Sequence, residues 1–315
     1  MTVGKTNIFN ELLEKLYQKL LSEKTKEKSE QAILWVALIS FIIHLLLIVM
    51  VDFNIVTIKE PSNLLNNPIS AIYTPFSFIL VYEVYLLIYY LPKSTSTYVS
   101  KQYEIIALII IRRLFKDLSD LSLSSNWFNM KNDLQFTYDL AASIILFYLI
   151  YLFQIQRIKV YKKTTYAENH SSNISKFINA KKWVATALVP ILLVTAIYSF
   201  LNWSIGVFQP SEIKSVSFKN INNIFFEQFF NILIIADVII LLFSFFHTDK
   251  FHKVIRNSGF IISTILIRIS FSVSGIINVA LIVSAILFGL IMLIIHNKFE
   301  KLIADEHKLG NKIED

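Results

Sequence analysis

One long stretch of the sequence is almost free of charge. Between Gly259 and Phe299, 41 residues include only two charged side chains, Arg268 and Lys298. A single helix of that length would measure about 60 Å, whereas the hydrocarbon core of a bilayer is about 30 Å thick. Small and polar residues cluster midway, at Ser270, Ser272, Ser274 and Gly275. We therefore expect two membrane helices, near 257–272 and 276–297, joined by a turn at this cluster.

Further segments match the pattern of about 20 mostly apolar residues that a membrane helix requires. They are 32–51, 71–91, 137–154, 183–203 and 224–246. Segment 101–121 is ambiguous because Arg112 and Arg113 interrupt its apolar run, so it is either a helix lying in the interface or a span packed inside a bundle. The chain is 55% hydrophobic and 17% charged, against about 25% charged in soluble domains. These features predict an all-α, polytopic transmembrane helical bundle.

Basic residues are distributed unevenly between the predicted spans. Residues 1–31 hold six Lys, 155–182 hold seven Lys or Arg, and 297–315 hold four, whereas 52–70 and 204–223 hold one and two. Because cytoplasmic loops are enriched in Lys and Arg, the rich segments should share one side of the membrane. Segments 1–31 and 155–182 can share a side only if the chain crosses the membrane an even number of times between them. The clear spans between them number three, so 101–121 is required as the fourth. This gives about eight spans in the cell membrane, with both termini cytoplasmic.

The same distribution accounts for the net charge of +7. Basic residues beside membrane spans, with no dedicated domain, argue against nucleic-acid binding and favour the lipid bilayer as the partner. Heavy use of Ile, Lys, Asn and Phe indicates an AT-rich bacterial genome. No cysteine is present, which excludes disulfides and Cys-ligated metal centres.

The two halves of the chain share a charge pattern. In each half an acid in the second span, Glu83 or Asp237, precedes arginine in the third span by 29 to 31 residues. This pattern predicts two parallel four-helix repeats, although any eight-helix protein with a few buried charges can be divided to look symmetrical. The predicted organisation is a cytoplasmic amphipathic N-terminal helix at 1–30, a first membrane unit at 31–158, a basic cytoplasmic connector at 159–182, a second unit at 183–297, and a cytoplasmic tail at 298–315.

Charged residues near the membrane midplane are the main candidate site. They are Glu83, Arg112, Arg113, Asp237 and Arg268. Consecutive spans run antiparallel, so Glu83 should reach the depth of Arg112, and Asp237 that of Arg268. Ionisable residues inside a membrane are costly and typical of functional sites, which predicts a polar interior or gate. The alternative is that these are structural ion pairs that fix helix packing and add little net stability.

Two weaker candidates lie elsewhere. His247, Asp249 and His252 have a spacing that could place metal ligands about one turn apart, but interfacial histidines more often contact lipid headgroups. We expect neither a metal nor another cofactor. Small residues on the last predicted helix allow close helix contact, inside the chain or between copies in a homo-oligomer. They are Ala280, Ser284, Ala285 and Gly289.

Three functions are weighed on this basis. The first is an integral membrane transport protein, an ion channel or ion-conducting pore, whose polar interior is lined or gated by the buried acids and arginines and whose partner is an inorganic ion. The second is a membrane scaffold or signalling subunit that transports nothing and uses the same charges as structural ion pairs. The third is an intramembrane enzyme that acts on lipids. Only the His247 cluster offers this third function a reactive group, so we expect the protein not to be an enzyme.

Overall fold

The computed structural model describes residues 2–55, 68–119, 131–164, 172–208, 218–247, 251–271, 273 and 275–314. Every regular element in these ranges is helical, which confirms the all-α prediction. The α-helices are α1 (Thr2–Leu20), α2 (Glu23–Asp52), α3 (Tyr73–Tyr90), α4 (Thr95–Ser119), α5 (Lys131–Thr164), α6 (Ser172–Phe208), α7 (Phe218–His247), α8 (Phe251–Ser270) and α9 (Ile276–Glu314). A 3-10 helix, Pro68–Ile72, leads into α3.

Five helical stretches in the described part are long and apolar enough to cross a membrane. They are Glu11–Asp52, Leu134–Lys159, Ser175–Tyr198, Phe229–Phe246 and Ile276–Glu306. Thr74–Tyr90 is an apolar helix of shorter length. Many large apolar side chains on these helices are exposed, such as Trp35 at 65% and Val194 at 65%. A surface of this kind is compatible with a membrane protein, and the count of eight spans stays a prediction.

Several helices continue beyond the predicted spans. α5 extends to Thr164 and α6 begins at Ser172, so most of the predicted connector is helical. α9 likewise continues to Glu314, through the segment predicted as a tail. Lys, Glu and Gln are good helix formers, so a helix need not end where its apolar segment ends.

The N-terminal helix is shorter than the predicted segment 1–30. α1 ends at Leu20, and Ser22 caps α2 by accepting a hydrogen bond from the Thr25 backbone N–H at 3.2 Å. The Tyr85 hydroxyl donates to the Leu20 carbonyl at 2.9 Å, which satisfies a backbone acceptor left free at the end of α1. Residues 23–31 therefore belong to the same helix as the first predicted span, 32–51, rather than to the N-terminal helix.

The chain divides into two compact units. The first contains Met1–Pro92, Ile109–Phe136 and Lys181–Leu233. Within it α2 packs along α3, and polar side chains join the two helices. Tyr82 donates to Glu30 at 2.8 Å, Tyr89 donates to Glu23 at 3.3 Å, and His44 hydrogen-bonds to Thr74.

The second unit contains Lys93–Leu108, Thr137–Ala180 and Ile234–Asp315. Its main feature is the hairpin of α8 and α9, whose turn lies where the sequence predicted it, between Ser270 and Ile276. The Asn278 side chain donates to the Ser270 carbonyl at the end of α8. Gly275, before α9, has a φ of 73°, a conformation that glycine adopts without steric cost.

Helices α4, α8 and α9 meet in the second unit at a buried hydroxyl chain. Ser263 donates to the Ala285 carbonyl at 2.6 Å, so the Tyr103 hydroxyl, 2.7 Å from Ser263 Oγ, is the donor in the next bond. This hydroxyl lies against Gly289, where an added methyl group would be 1.9 Å from the Tyr103 oxygen. Gly289 is therefore needed for the close approach of α4 to α9.

We expect Gly289→Ala to destabilise the protein by about 1–3 kcal/mol, because overpacking a tight contact displaces its neighbours. Combining it with Tyr103→Phe should recover much of that loss, since the clashing oxygen is removed and Ser263 keeps its bond to Ala285. Gly259→Ala is the matched control, because the nearest side chain there is the flexible Met292. Thermal unfolding in detergent measures all four variants; additive effects of Gly289→Ala and Tyr103→Phe would contradict the contact.

Candidate polar interior

Glu83 and Arg112 form a buried ion pair in the first unit. Arg112 Nη2 donates to Glu83 Oε2 at 2.6 Å, and the two side chains are 7% and 6% exposed. A hydrogen bond between two charged groups is stronger than a neutral one. The pair predicted from the sequence is therefore present, between α3 and α4.

The local sequence explains how this pair is assembled. α3 is apolar apart from a few polar positions, and it ends at Tyr90, five residues before α4 begins. Ser94 caps α4 by accepting from the Thr97 N–H at 3.2 Å. A short turn between two helices makes them antiparallel neighbours. Residues 29 positions apart, such as Glu83 and Arg112, can then meet.

Arg113 has a different environment from Arg112. It is partly exposed and takes part in interactions of its own. The sequence pattern suggested that one of these two arginines would lack an acidic partner and face water, phosphate or an anion, and that assignment stays a prediction. Two positions further along α4, the Phe115 ring stacks on Phe76 of α3 with centroids 5.4 Å apart. The α3–α4 contact therefore continues past the arginines.

Asp237 lies in a buried polar cluster in the second unit. It is 5% exposed, and Oδ2 accepts a hydrogen bond from Gln102 Nε2 at 3.2 Å. Tyr98, one turn before Gln102 on α4, has its hydroxyl beside the Asp237 carboxylate. Arg268 is partly exposed and has interactions of its own, and its pairing with Asp237 stays a prediction. Sequence reasoning missed Tyr98 and Gln102, whose only signal was their i, i+4 spacing on the arginine-bearing helix.

A second polar cluster joins α8 to α9 in the same unit. His252 Nε2 is 2.8 Å from Glu300 Oε1, and Arg256 Nη1 donates to His296 Nε2 at 2.8 Å. The rings of His252 and His296 stack with centroids 5.2 Å apart. His252, one of the predicted weak metal candidates, is thus placed beside two groups that the sequence did not connect with it. The other two candidates, His247 and Asp249, have side chains outside the described residues.

His252, His296 and Glu300 could together hold a metal ion, since their ligand atoms lie within 4.8 Å of one another. The cluster already contains a cation, however. Burial lowers the pKa of Arg256 to about 10, which leaves the guanidinium charged at pH 7. Arg256 occupies the lone pair of His296 Nε2, whereas His296 Nδ1 is buried and has no hydrogen-bond partner among the described residues.

The small residues of α9 have two environments. Ala285 and Gly289 are buried against α4 and α8 of the same chain. Ala280 and Ser284 are exposed. Of these four residues, Ala280 and Ser284 are therefore the ones accessible to another copy of the chain, and the homo-oligomer stays a prediction.

No family model, curated protein or solved structure matches the chain.

We expect Glu83→Ala to destabilise the protein by about 3–5 kcal/mol, because it leaves the buried Arg112 without its carboxylate. Replacing both residues, as Glu83→Leu with Arg112→Met, should restore most of the stability, since apolar residues of similar size often replace a buried ion pair at little cost. Thermal unfolding of the purified protein in detergent compares the variants. Equal losses in the single and double variants would contradict an energetic coupling of the pair.

Proposed function

We propose that this protein is an integral membrane transport protein, an ion channel or ion-conducting pore, in the cell membrane of a bacterium. Its chain crosses the membrane several times with both termini in the cytoplasm. Five helices of sufficient length and apolarity support the membrane location. The concentration of Lys and Arg in alternate loops supports the orientation.

The observation that carries transport is the buried Glu83–Arg112 pair, at 2.6 Å with both side chains below a tenth exposed. A carboxylate and a guanidinium inside a membrane bundle are expensive to desolvate, and such groups typically line ion pathways or move between two contacts. In this proposal Glu83, Arg112, Arg113, Asp237 and Arg268 form the polar interior, and an inorganic ion is the transported species. Opening would separate the pair and expose both charges to the path.

A second candidate is a membrane scaffold or signalling subunit without transport. The low exposure of Glu83 and Arg112 and the tight contact of Tyr103 with Gly289 favour it, because both describe a closely packed interior. In that role the charges fix the register of α3 against α4. The two functions differ in whether disturbing the pair changes ion flux or only assembly.

Reconstituted protein should therefore pass ions across liposomes, and Glu83→Lys should change the rate at least about tenfold, since it places two like charges in a buried contact. The ion flux is measured with liposomes that contain an ion-sensitive fluorescent dye. Glu306→Lys, the same charge change at an exposed position of α9, is the matched control and should leave flux unchanged.

The exchange of both charges, Glu83→Arg with Arg112→Glu, separates the two candidates. If the pair is structural, the exchanged protein should express and fold better than either single variant. Neither the wild type nor the exchanged protein should then show ion flux. A conducting path predicts flux in the wild type and an altered rate in the exchanged form. Absence of flux from folded, reconstituted wild type would overturn the transport proposal.

A further inference from the structure

Three potential metal ligands meet between α8 and α9, at the end of this hairpin opposite its turn. His252 comes from α8, and His296 and Glu300 lie four residues apart on α9, on one face of that helix. One ligand atom of each residue lies within 4.8 Å of the other two. A tetrahedral zinc ion holds its ligand atoms about 3.4 Å apart, so side-chain shifts of about 1 Å bring all three onto one ion.

His296 has incomplete hydrogen bonding although its side chain is 2% exposed. Arg256 Nη1 lies 2.8 Å from His296 Nε2, and a guanidinium can only donate, so Nε2 accepts and the ring hydrogen is on Nδ1. Nδ1 is buried and has no hydrogen-bond partner among the described residues. Buried polar atoms are nearly always satisfied, so the cluster is incomplete without a further occupant.

Arg256 is able to release His296 and keep its other contacts. Its guanidinium also donates to Asn257 Oδ1, from Nη2 at 3.0 Å and from Nε at 3.3 Å, and it lies 6.0 Å from the centre of the Phe260 ring. A metal bound to His296 requires this release through either ring nitrogen. The metal takes the Nε2 lone pair itself, or it takes Nδ1 and the ring hydrogen moves to Nε2. Arg256 and a metal therefore compete for His296.

The donor atoms select the class of metal. Two imidazole nitrogens and one carboxylate oxygen are typical ligands of zinc, whereas Mg²⁺ and Ca²⁺ prefer oxygen ligands. The carboxylate of Glu300 supplies negative charge to the ion. Its side chain is 27% exposed, which gives water access to the cluster. Three protein ligands with a water molecule in the fourth position form a common zinc arrangement.

We propose that His252, His296 and Glu300 bind a zinc ion between α8 and α9. The ion ties the two helices together at this end of the hairpin and replaces the hydrogen bond between Arg256 and His296. The site is separate from the Glu83–Arg112 pair and does not depend on the proposed transport function. Zinc binding is measured at equilibrium, without any flux assay.

Thermal unfolding of the purified full-length protein in detergent provides the first test, after removal of any histidine tag and of bound metal. The midpoint is measured with Zn²⁺, with Mg²⁺ and in EDTA. Zn²⁺ should raise the midpoint by a saturable amount, about 5 °C at a hundredfold excess over Kd. Mg²⁺ at the same concentration should leave it unchanged, because Mg²⁺ prefers oxygen ligands. Equal midpoints in Zn²⁺ and EDTA would overturn the proposal and indicate that water satisfies the buried Nδ1.

Histidine variants locate the effect. His252→Gln and His296→Gln should each abolish the rise in midpoint that Zn²⁺ causes, because each removes one of three ligands. His44→Gln, at a buried histidine of the first unit, is the matched control and should keep the rise. A zinc-dependent rise that persists in His252→Gln and His296→Gln would overturn the site.

Removing the competitor gives a prediction that a poorly folded variant cannot imitate. Arg256→Gln should lower the Kd for Zn²⁺ at least about tenfold, because it removes a positive charge and a hydrogen bond that zinc must displace. Lys298→Gln removes a positive charge at an exposed position of α9 and should change the Kd less than about twofold. Isothermal titration calorimetry measures both constants. Unchanged or weaker binding in Arg256→Gln would overturn the placement of zinc at His296.

Discussion

A carboxylate and a guanidinium sit 2.6 Å apart where water has little access. Separately, each would carry the full cost of removing an ion from water, which is several kcal/mol even after the protein relaxes. Together they cancel most of that cost only while α3 and α4 keep their alignment. The Glu83–Arg112 contact therefore couples the register of two helices to the charge state of the interior, and any movement of one helix along the other must break it or replace it.

In the second unit, buried polar groups are joined by hydrogen bonds between neutral side chains and backbone as well as to a carboxylate. The Tyr103–Ser263–Ala285 chain is closed, with each hydroxyl donating to the next group, and Gly289 provides the room that it needs. A fully satisfied buried network of this kind rigidifies the contact between helices. Around Asp237 the Gln102 amide nitrogen donates to the carboxylate and the Tyr98 hydroxyl lies beside it, whereas Gln102 Oε1 has no partner among the described residues.

The features predicted from sequence depend on local physics. Apolar runs of membrane length predicted the helices, and the small and polar residues at 270–275 predicted the α8–α9 turn. The 29-residue separation of Glu83 and Arg112 in adjacent antiparallel helices predicted their ion pair. Contacts between helices distant in the sequence were missed. Gln102 meets Asp237 across 135 residues, and His252 meets Glu300 across 48, and no spacing rule connects such positions. Helix ends were missed as well, because polar residues with high helix propensity continue the apolar segments.

The transport proposal requires that water and ions reach Glu83 and Arg112 when opening separates the pair. Reaction of an introduced thiol with small charged reagents tests it most directly, since the chain contains no cysteine of its own. In liposomes, Glu83→Cys should react faster than Leu146→Cys, a fully buried position, and more slowly than Ile55→Cys, which is 67% exposed. A thiol at position 83 as unreactive as one at position 146, in protein that is folded and reacts normally at position 55, would contradict a conducting interior.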